Sequence, residues 1–343
     1  MDFSYRTIEL RPRHVFRTAR STCASTESVI VDISDGRIAG IGEAAPSRYY
    51  GEDAGTVVAY LERMRPVVER VGHESELMAE LASRGGRDDP AARAALEIAA
   101  HDMMGKRYGV PLYRHFDLDA ADAPVTTVSI GLDEPEIMIE KALEVRGFPM
   151  LKIKLGRETD LSVVARIKEE TGAAVTVDAN CGWEPDEAVR RIAELARIGV
   201  LLVEQPVAAG DVEAMASVRR RSEVPIYADE SCPTSAELRE FSGAIDGVVV
   251  KLMKCGGLVE ATRMIRMARD RGVGTMLGCM MESSIGITAA AHLAPMVDYA
   301  DLDSGFLLES DPYSGMRIER GRMLLPEGAG LGVAPAGSGD AGG

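Results

Sequence analysis

From about Pro124 onward, short apolar runs alternate with longer stretches whose apolar residues recur at helical spacing. The runs are TTVSI (126–130), MLKIKLG (150–156), AVTVDAN (174–180), LLVEQP (201–206), PIYADES (225–231), GVVVKLMK (247–254), GTMLGC (274–279) and YADLDS (299–304). A strand followed by a helix returns to the sheet parallel to where it left, so the rhythm predicts parallel strands. Eight such units point to an α/β fold, a (β/α)7β TIM-type barrel over residues 124–315. No full helical pattern follows the eighth run.

The first 120 residues have a different texture. The opening MDFSYRTIELRPRHVF alternates like a strand, and Ser28–Ile33 and Arg37–Glu43 flank the turn Asp35-Gly36 as a hairpin. Helical spacing returns at Thr56–Val71 and at Pro90–Tyr108, the latter bounded by Asp-Pro and Gly109. Residues 1–120 therefore read as an α+β capping domain. Part of 316–335, including a hairpin at Met316–Leu325, is expected to complete it. The Gly- and Ala-rich tail 336–343 is expected to lack fixed structure.

The chain carries 54 acidic and 39 basic residues, a net charge of −15. That balance argues against nucleic acid or an anionic membrane as partner. It does not exclude a small anionic substrate, because one metal ion reverses the sign of a pocket locally. No apolar run reaches spanning length, and the charged N-terminus is not a signal peptide. Five unevenly spaced cysteines without a C-x-x-C pair make neither a disulfide framework nor a zinc site, so a cytoplasmic, reducing compartment is expected.

Chemistry in such a barrel sits at the C-terminal ends of the strands. Strands three, four and five end in Asp178, Glu204 and Asp229, one βα unit apart. Three carboxylates converging on one point need a cation between them, and hard oxygen ligands on rigid strands suit Mg²⁺. Lysine is scarce, seven residues in a chain that otherwise uses Arg, and four of the seven lie in two of the runs. Lys152 and Lys154 share one face of strand two, where mutual repulsion and burial are expected to lower their pKa. Lys251 lies across the barrel, and Lys254 reads as a solvated loop residue. A metal beside a carboxylate and a lysine base on each face suit removal and return of an α-proton, which is racemisation or epimerisation.

These motifs, ESVIV, LKIKLG, VDANCGW, VEQPV, ADES, KLMKCGG, GCMMES, AAAHLA and DLDS, resemble the enolase superfamily, muconate lactonizing enzyme subgroup, over nearly the whole chain. The chain is most similar to the dipeptide epimerases of the L-Ala-D/L-Glu type. The resemblance implies that Asp178, Glu204 and Asp229 bind Mg²⁺, that Lys154 and Lys251 exchange the proton through an enolate, and that Lys152 tunes Lys154 and contacts the substrate carboxylate. The related mandelate racemase subgroup replaces one Lys by His, and none of the five histidines here falls at a strand end.

Asp301 and Asp303, two apart at the end of strand eight, want a cation in a desolvated pocket, and a free substrate ammonium group supplies one. The resemblance agrees, giving this Asp-x-Asp the N-terminal amine of a dipeptide. N-succinylamino acid racemisation, o-succinylbenzoate synthesis, muconate cycloisomerisation and ligand binding without turnover are the alternatives. The second residue should meet cap loops near 17–26 and 47–51. An Arg in the first loop of Ala-Glu epimerases is expected to bind the Glu side chain; Arg20 is the nearest match, one residue out of register, and Arg17 the other candidate. L-Ala-D/L-Glu is the favoured dipeptide on this likeness, with hydrophobic or cationic second residues left open; Met280 and Glu282 are further substrate-facing candidates, and Asn180, Glu230 and alternatively Glu282 are expected to orient lysines and ligands. Four cysteines (Cys181, Cys232, Cys255, Cys279) read as small fillers near the barrel mouth. A homo-oligomer is possible on family grounds.

Overall fold

The structure is a computed structural model that describes residues 1–84 and 88–337. Of the tail at 336–343, residues 338–343 lie outside the described residues.

The cap is built on three antiparallel strands, β1 (Asp2–Leu10), β4 (Thr26–Ser34) and β5 (Ala39–Ala44), in the order β1-β4-β5. A two-residue ribbon, β2 (Phe16–Arg17) with β3 (Thr22–Cys23), stands between the first two. The turn between β4 and β5 is set by Asp35, whose side chain accepts the N–H groups of Arg37 and Ile38. Helices α1 (Ala54–Arg70), α2 (Glu74–Arg84), α3 (Pro90–Tyr108) and the short α4 (Leu112–His115) cover one face. Helix α2 was not expected from the sequence. Its buried Glu74 takes two hydrogen bonds from Arg107 of α3, at 2.7 and 2.8 Å, a contact invisible in local periodicity.

Helix α3 lies unusually close to β5. A Cβ placed on Gly42 would sit 2.0 Å from the carbonyl oxygen of Ala95, and one on Gly40 2.1 Å from that of Ala99. The helix answers with small residues: Ala91, Ala92, Ala94, Ala95, Ala99 and Ala100 are all fully buried. Small residues on both sides let backbone approach backbone.

The barrel runs β6 (Val128–Ile130), α5 (Pro135–Glu144), β7 (Met150–Lys154), α6 (Ser162–Thr171), β8 (Ala174–Asp178), α7 (Pro185–Ile198), β9 (Val203–Glu204) and α8 (Val212–Arg220). It continues with β10 (Ile226–Ala228), α9 (Ser235–Phe241), β11 (Gly247–Val250), α10 (Leu252–Cys255), α11 (Leu258–Asp270), β12 (Gly274–Gly278), α12 (Ser284–Ala291), β13 (Tyr299–Asp301) and α13 (Ser304–Leu307). Strands β6 to β13 form one parallel sheet in sequence order. A parallel bridge between Thr126 and Ala300 brings the first and last together. The segment expected as a hairpin is β15 (Arg317–Glu319) with β16 (Arg322–Leu324), following β14 (Tyr313–Ser314), which pairs with β17 (Ala334–Pro335). The hairpin packs at the barrel foot, where Gly321 accepts the N–H of Thr126. The later residues reach the cap: Leu331 donates its N–H to Asp102 of α3 at 2.8 Å. Among the described residues no helix is long and apolar enough to cross a membrane.

Buried carboxylates join cap to barrel. Glu43 on β5 accepts the N–H groups of Ser283 and Gly286, both at 2.9 Å, at the start of α12. Glu97 on α3 accepts the N–H of Val259 at 2.7 Å in the first turn of α11. Each satisfies helix N–H groups that have no partner within their own helix, at the end where the dipole favours an anion. His292 makes a third joint. The Tyr113 N–H donates to its Nδ1, so Nε2 carries the proton and donates to the Leu331 carbonyl at 3.1 Å.

Two outcomes follow from this packing. Gly42→Ala forces α3 off β5 and should cost ~3 kcal/mol of unfolding free energy, measured by urea denaturation; an unchanged midpoint would contradict the contact. Burial pushes the Glu97 carboxyl up to about 7, so the folded chain keeps a proton that the unfolded chain releases. Wild-type stability is therefore lost as pH rises from the unfolded value of about 4.3 through 7, by ~4 kcal/mol at most. Glu97→Gln keeps the acceptor and removes the titration. Its stability relative to wild type should rise between pH 5 and 8 and level off above; a pH-independent difference would count against the buried carboxyl.

Candidate active site

The C-terminal ends of the barrel strands and the cap loops enclose a cavity of about 1080 Å³. The barrel contributes Lys154, Asn180, Asp229, Glu230, Lys251, Asp301 and Asp303, and the cap contributes Arg20, Tyr49 and Tyr50.

Alternation on β7 turns Leu151, Ile153 and Leu155 outward into the apolar layer and Lys152 and Lys154 inward. Lys152 is 1% exposed. Its ammonium lies 2.7 Å from Glu204, 2.7 Å from Asp301 and 3.4 Å from Asp178. Lys154 meets Asp178 at 2.6 Å, and Lys251 meets Asp229 at 2.6 Å from the far side of the barrel. The structure thus brings the expected acids and lysines into one interlocked set.

Two expectations need correction. Lys254 is not solvated: its side chain is fully buried, and its ammonium binds Asp229 Oδ1 at 2.7 Å and the carbonyls of Asp229 and Val249 at 2.7 and 2.8 Å. The reason is local. The run read as one long strand stops at Val250, and Leu252–Cys255 turn into α10 after the extended Lys251, which brings Lys254 back beside Lys251 onto Asp229. The expected lowering of lysine pKa is also not found for Lys152. Burial does oppose its charge, but Asp301, Glu204 and Asp178 outweigh burial and raise it well above the ordinary value. Lys251 is raised likewise, by Asp229 and Glu204 against burial.

The acids respond in kind. Burial works to raise Asp229, but Lys251 and Lys254 hold its carboxyl well below the usual range. Glu204 is raised well above it, by burial and by its neighbour Asp178. Glu204 lies close to Lys152, yet both of its buried carboxylate oxygens lack hydrogen-bonding geometry. Among the described residues no three His, Cys, Asp or Glu side chains are gathered as a ready-made metal centre. The ammonium groups stand between the acids.

Asp301 and Asp303 both line the cavity, though not by strand alternation. The strand ends at Asp301, and Asp303 has already turned toward α13 with φ −103° and ψ −5°. Asp301 is held by Lys152 and by the Thr127 hydroxyl. Asp303 accepts the backbone N–H of Ser129. Burial and the neighbouring Asp301 push its carboxyl up to about 6.

At the mouth, Arg20 pairs with Glu230 and lies over the Tyr49 ring, 4.0 Å from its centre. Arg17 instead pairs with Asp133 at 2.8 Å and does not line the cavity. Asn180 donates to Asp178 and to Glu230, both at 3.2 Å. Met280 lines the cavity. Glu282, expected to face substrate, does not: its Oε1 accepts the Met280 N–H at 2.8 Å, so it shapes the turn behind the wall. All five cysteines are free thiols, and Cys279 lines the cavity beneath Asp303.

Other residues here were not singled out from the sequence. Gln205, in a left-handed backbone conformation at φ 38°, accepts the N–H groups of Asp229 and Ser231 and so ties the ends of β9 and β10 together. Its signal was its place beside Glu204 in VEQP. Thr127 just before β6 and Ser129 within it hold the Asp pair, and only barrel closure reveals that contact.

Comparison with known proteins agrees with this architecture. Residues 4–115 match the mandelate racemase / muconate lactonizing enzyme N-terminal domain, and residues 137–338 match the enolase C-terminal domain-like family. The L-Ala-D/L-Glu epimerase of Bacteroides thetaiotaomicron is 35% identical over 335 residues, covering 97% of this chain and 88% of that protein. The hydrophobic dipeptide epimerase of Enterococcus faecalis is 37% identical over 347 residues, covering 96% and 98%. The crystal structure of the Enterococcus faecalis dipeptide epimerase complexed with Mg and L-Leu-L-Tyr matches at a TM-score of 0.90 and 35% identity, over 97% of this chain and 98% of that one. Both domains and full-length relatives being matched, the chain belongs to the mandelate racemase / muconate lactonizing enzyme family of the enolase superfamily.

Proposed function

We propose that the chain is a Mg²⁺-dependent dipeptide epimerase that inverts the α-carbon of the second residue by proton transfer between two lysines. The observation that carries this reading is the placement of Lys154 and Lys251 on opposite sides of one cavity, with carboxylates between them and a second acid pair, Asp301 and Asp303, at and just beyond the end of β13.

Asp178, Glu204 and Asp229 are the residues that would hold the metal. They fit it: all are hard oxygen donors on adjacent strands, and the Glu204 oxygens are buried without a hydrogen bond. When bound, the ion supplies electrophilic stabilisation of the negative charge that builds on a substrate carboxylate as its α-proton leaves. Asp178 and Asp229, sharing their charge with such a cation, would hold the lysine ammonium groups less tightly. Asp303, whose oxygens are not paired with a lysine, takes the substrate ammonium group, and Asp301 supports it while tied to Lys152. Lys152 keeps its charge and faces the substrate carboxylate. Lys154 and Lys251 then stand on opposite faces of the α-carbon; one accepts its proton and the other returns one. Proximity in the cavity supplies the orientation.

A succinyl or muconate-like substrate would set an anion or a neutral group against Asp301 and Asp303, so the acid pair favours a free amine. Free thiols throughout support a reducing, cytoplasmic compartment.

Lys154→Ala and Lys251→Ala should each lower epimerisation about 10³-fold. Each should still exchange the α-proton of one configuration of the second residue with D₂O, and the two should retain opposite configurations, read by NMR. Either variant exchanging both configurations would rule out the two-lysine scheme. Asp303→Asn should lower kcat/KM for a free dipeptide ~10²-fold while leaving an N-acetylated dipeptide nearly unaffected, because only the first carries the ammonium charge. Equal loss for both would remove Asp303 from amine recognition.

A further inference from the structure

The proposed epimerase geometry uses three of the four substituents of the substrate α-carbon region. Lys152 and the ion that Asp178, Glu204 and Asp229 would hold face the carboxylate, Asp303 just after β13 takes the ammonium end, and Lys154 and Lys251 take the proton. The second side chain is left with the open side of the cavity, walled by Arg20, Tyr49, Tyr50 and Glu230.

That wall contains a committed ion pair. Arg20 is carried on the loop between β2 and β3 and donates Nη2 to Glu230 Oε1, a residue 210 positions away on the barrel. Its guanidinium is stacked on Tyr49, and Nη1 lies 3.5 Å from Cys181 Sγ. The Glu230 side chain is only 2% exposed. Its Oε1 also accepts from Asn180, and its Oε2 is buried with no hydrogen bond. The positive charge nearest the second side chain is thus answered from within the protein.

We propose that Arg20 and Glu230 together form a charge-neutral wall of the second-residue subsite, which selects uncharged side chains, and that Glu230 sets this preference as much as Arg20 does. The inference rests on the epimerase reading. An acidic side chain can recruit Arg20 only by drawing it from Glu230. That leaves a buried carboxylate unpaired beside Asp229 and Asp178, which is costly. A cationic side chain can reach Glu230 only past the guanidinium. An apolar or aromatic side chain packs on the Tyr49–Arg20 stack and disturbs neither charge.

The test is kcat/KM for L-Ala-L-Leu, L-Ala-L-Glu and L-Ala-L-Lys, compared as ratios within each protein so that general losses cancel. Wild type should favour Leu over both charged substrates at least about tenfold. Arg20→Met uncovers Glu230 and should raise the Lys/Leu ratio about tenfold or more; Glu230→Gln frees Arg20 and should raise the Glu/Leu ratio similarly. A wild type that ranks Glu first, with Arg20→Met abolishing that rank, would make Arg20 a carboxylate receptor and overturn the proposal. So would ratios unmoved in both variants. Should either variant fail to fold, the other variant and the wild-type ranking still decide. Absence of α-deuterium from D₂O with all three dipeptides would sink the epimerase reading itself, a result distinct from exchange with the wrong ranking.

Discussion

Charge compensation among buried side chains governs this molecule. Lys152, Lys154, Lys251 and Lys254 stand against the carboxyl groups of Asp178, Glu204, Asp229 and Asp301, four lysines against four acids, with Asp303 beside them and paired with no lysine. None of these groups tolerates burial alone. Each lysine is held in position by an acid, and Asp229 and Asp178 are held by lysines in return. Rigid parallel strands make the arrangement possible, because one side chain per strand end arrives at a fixed place. The same set that holds the strand ends together is the set through which, in the proposed reaction, a proton would move.

The cap is fastened by the same logic used more locally. Glu43 and Glu97 reach from the cap into the first turns of α12 and α11, so the cap supplies hydrogen bonds that these barrel helices lack. The loops over the cavity are therefore anchored on a rigid base. The ribbon carrying Arg20 is tied at its root by Arg17 to Asp133 and at its tip to Glu230. Specificity and access are consequently set by residues distant in sequence from the lysines.

Much of this was legible in the sequence. Period-two alternation located Lys152 and Lys154, the one-unit spacing located Asp178, Glu204 and Asp229, and the βα rhythm gave the barrel. What failed did so for physical reasons. Lys254 was misread because a strand pattern and a helical turn look alike over four residues, and a one-turn helix was enough to bury it. Asp303 reaches the cavity through a turn rather than through the strand face assumed for it. Glu282 folds back on the Met280 N–H group, a turn contact that no periodicity in GCMMES announces. The Arg20–Glu230 pair spans 210 positions, and nothing local in either segment announces the other. The direction of the Lys152 shift was misjudged because burial was weighed without the three acids that answer it.

The most direct measurement of the central claim is incubation of the intact protein with a library of dipeptides in D₂O, with Mg²⁺ and, in parallel, with a chelator in excess, read by mass spectrometry. The account expects deuterium at the α-carbon of the second residue, in both configurations, only where Mg²⁺ is present. Deuterium at the first residue, exchange that survives the chelator, or no exchange with any free dipeptide would contradict it.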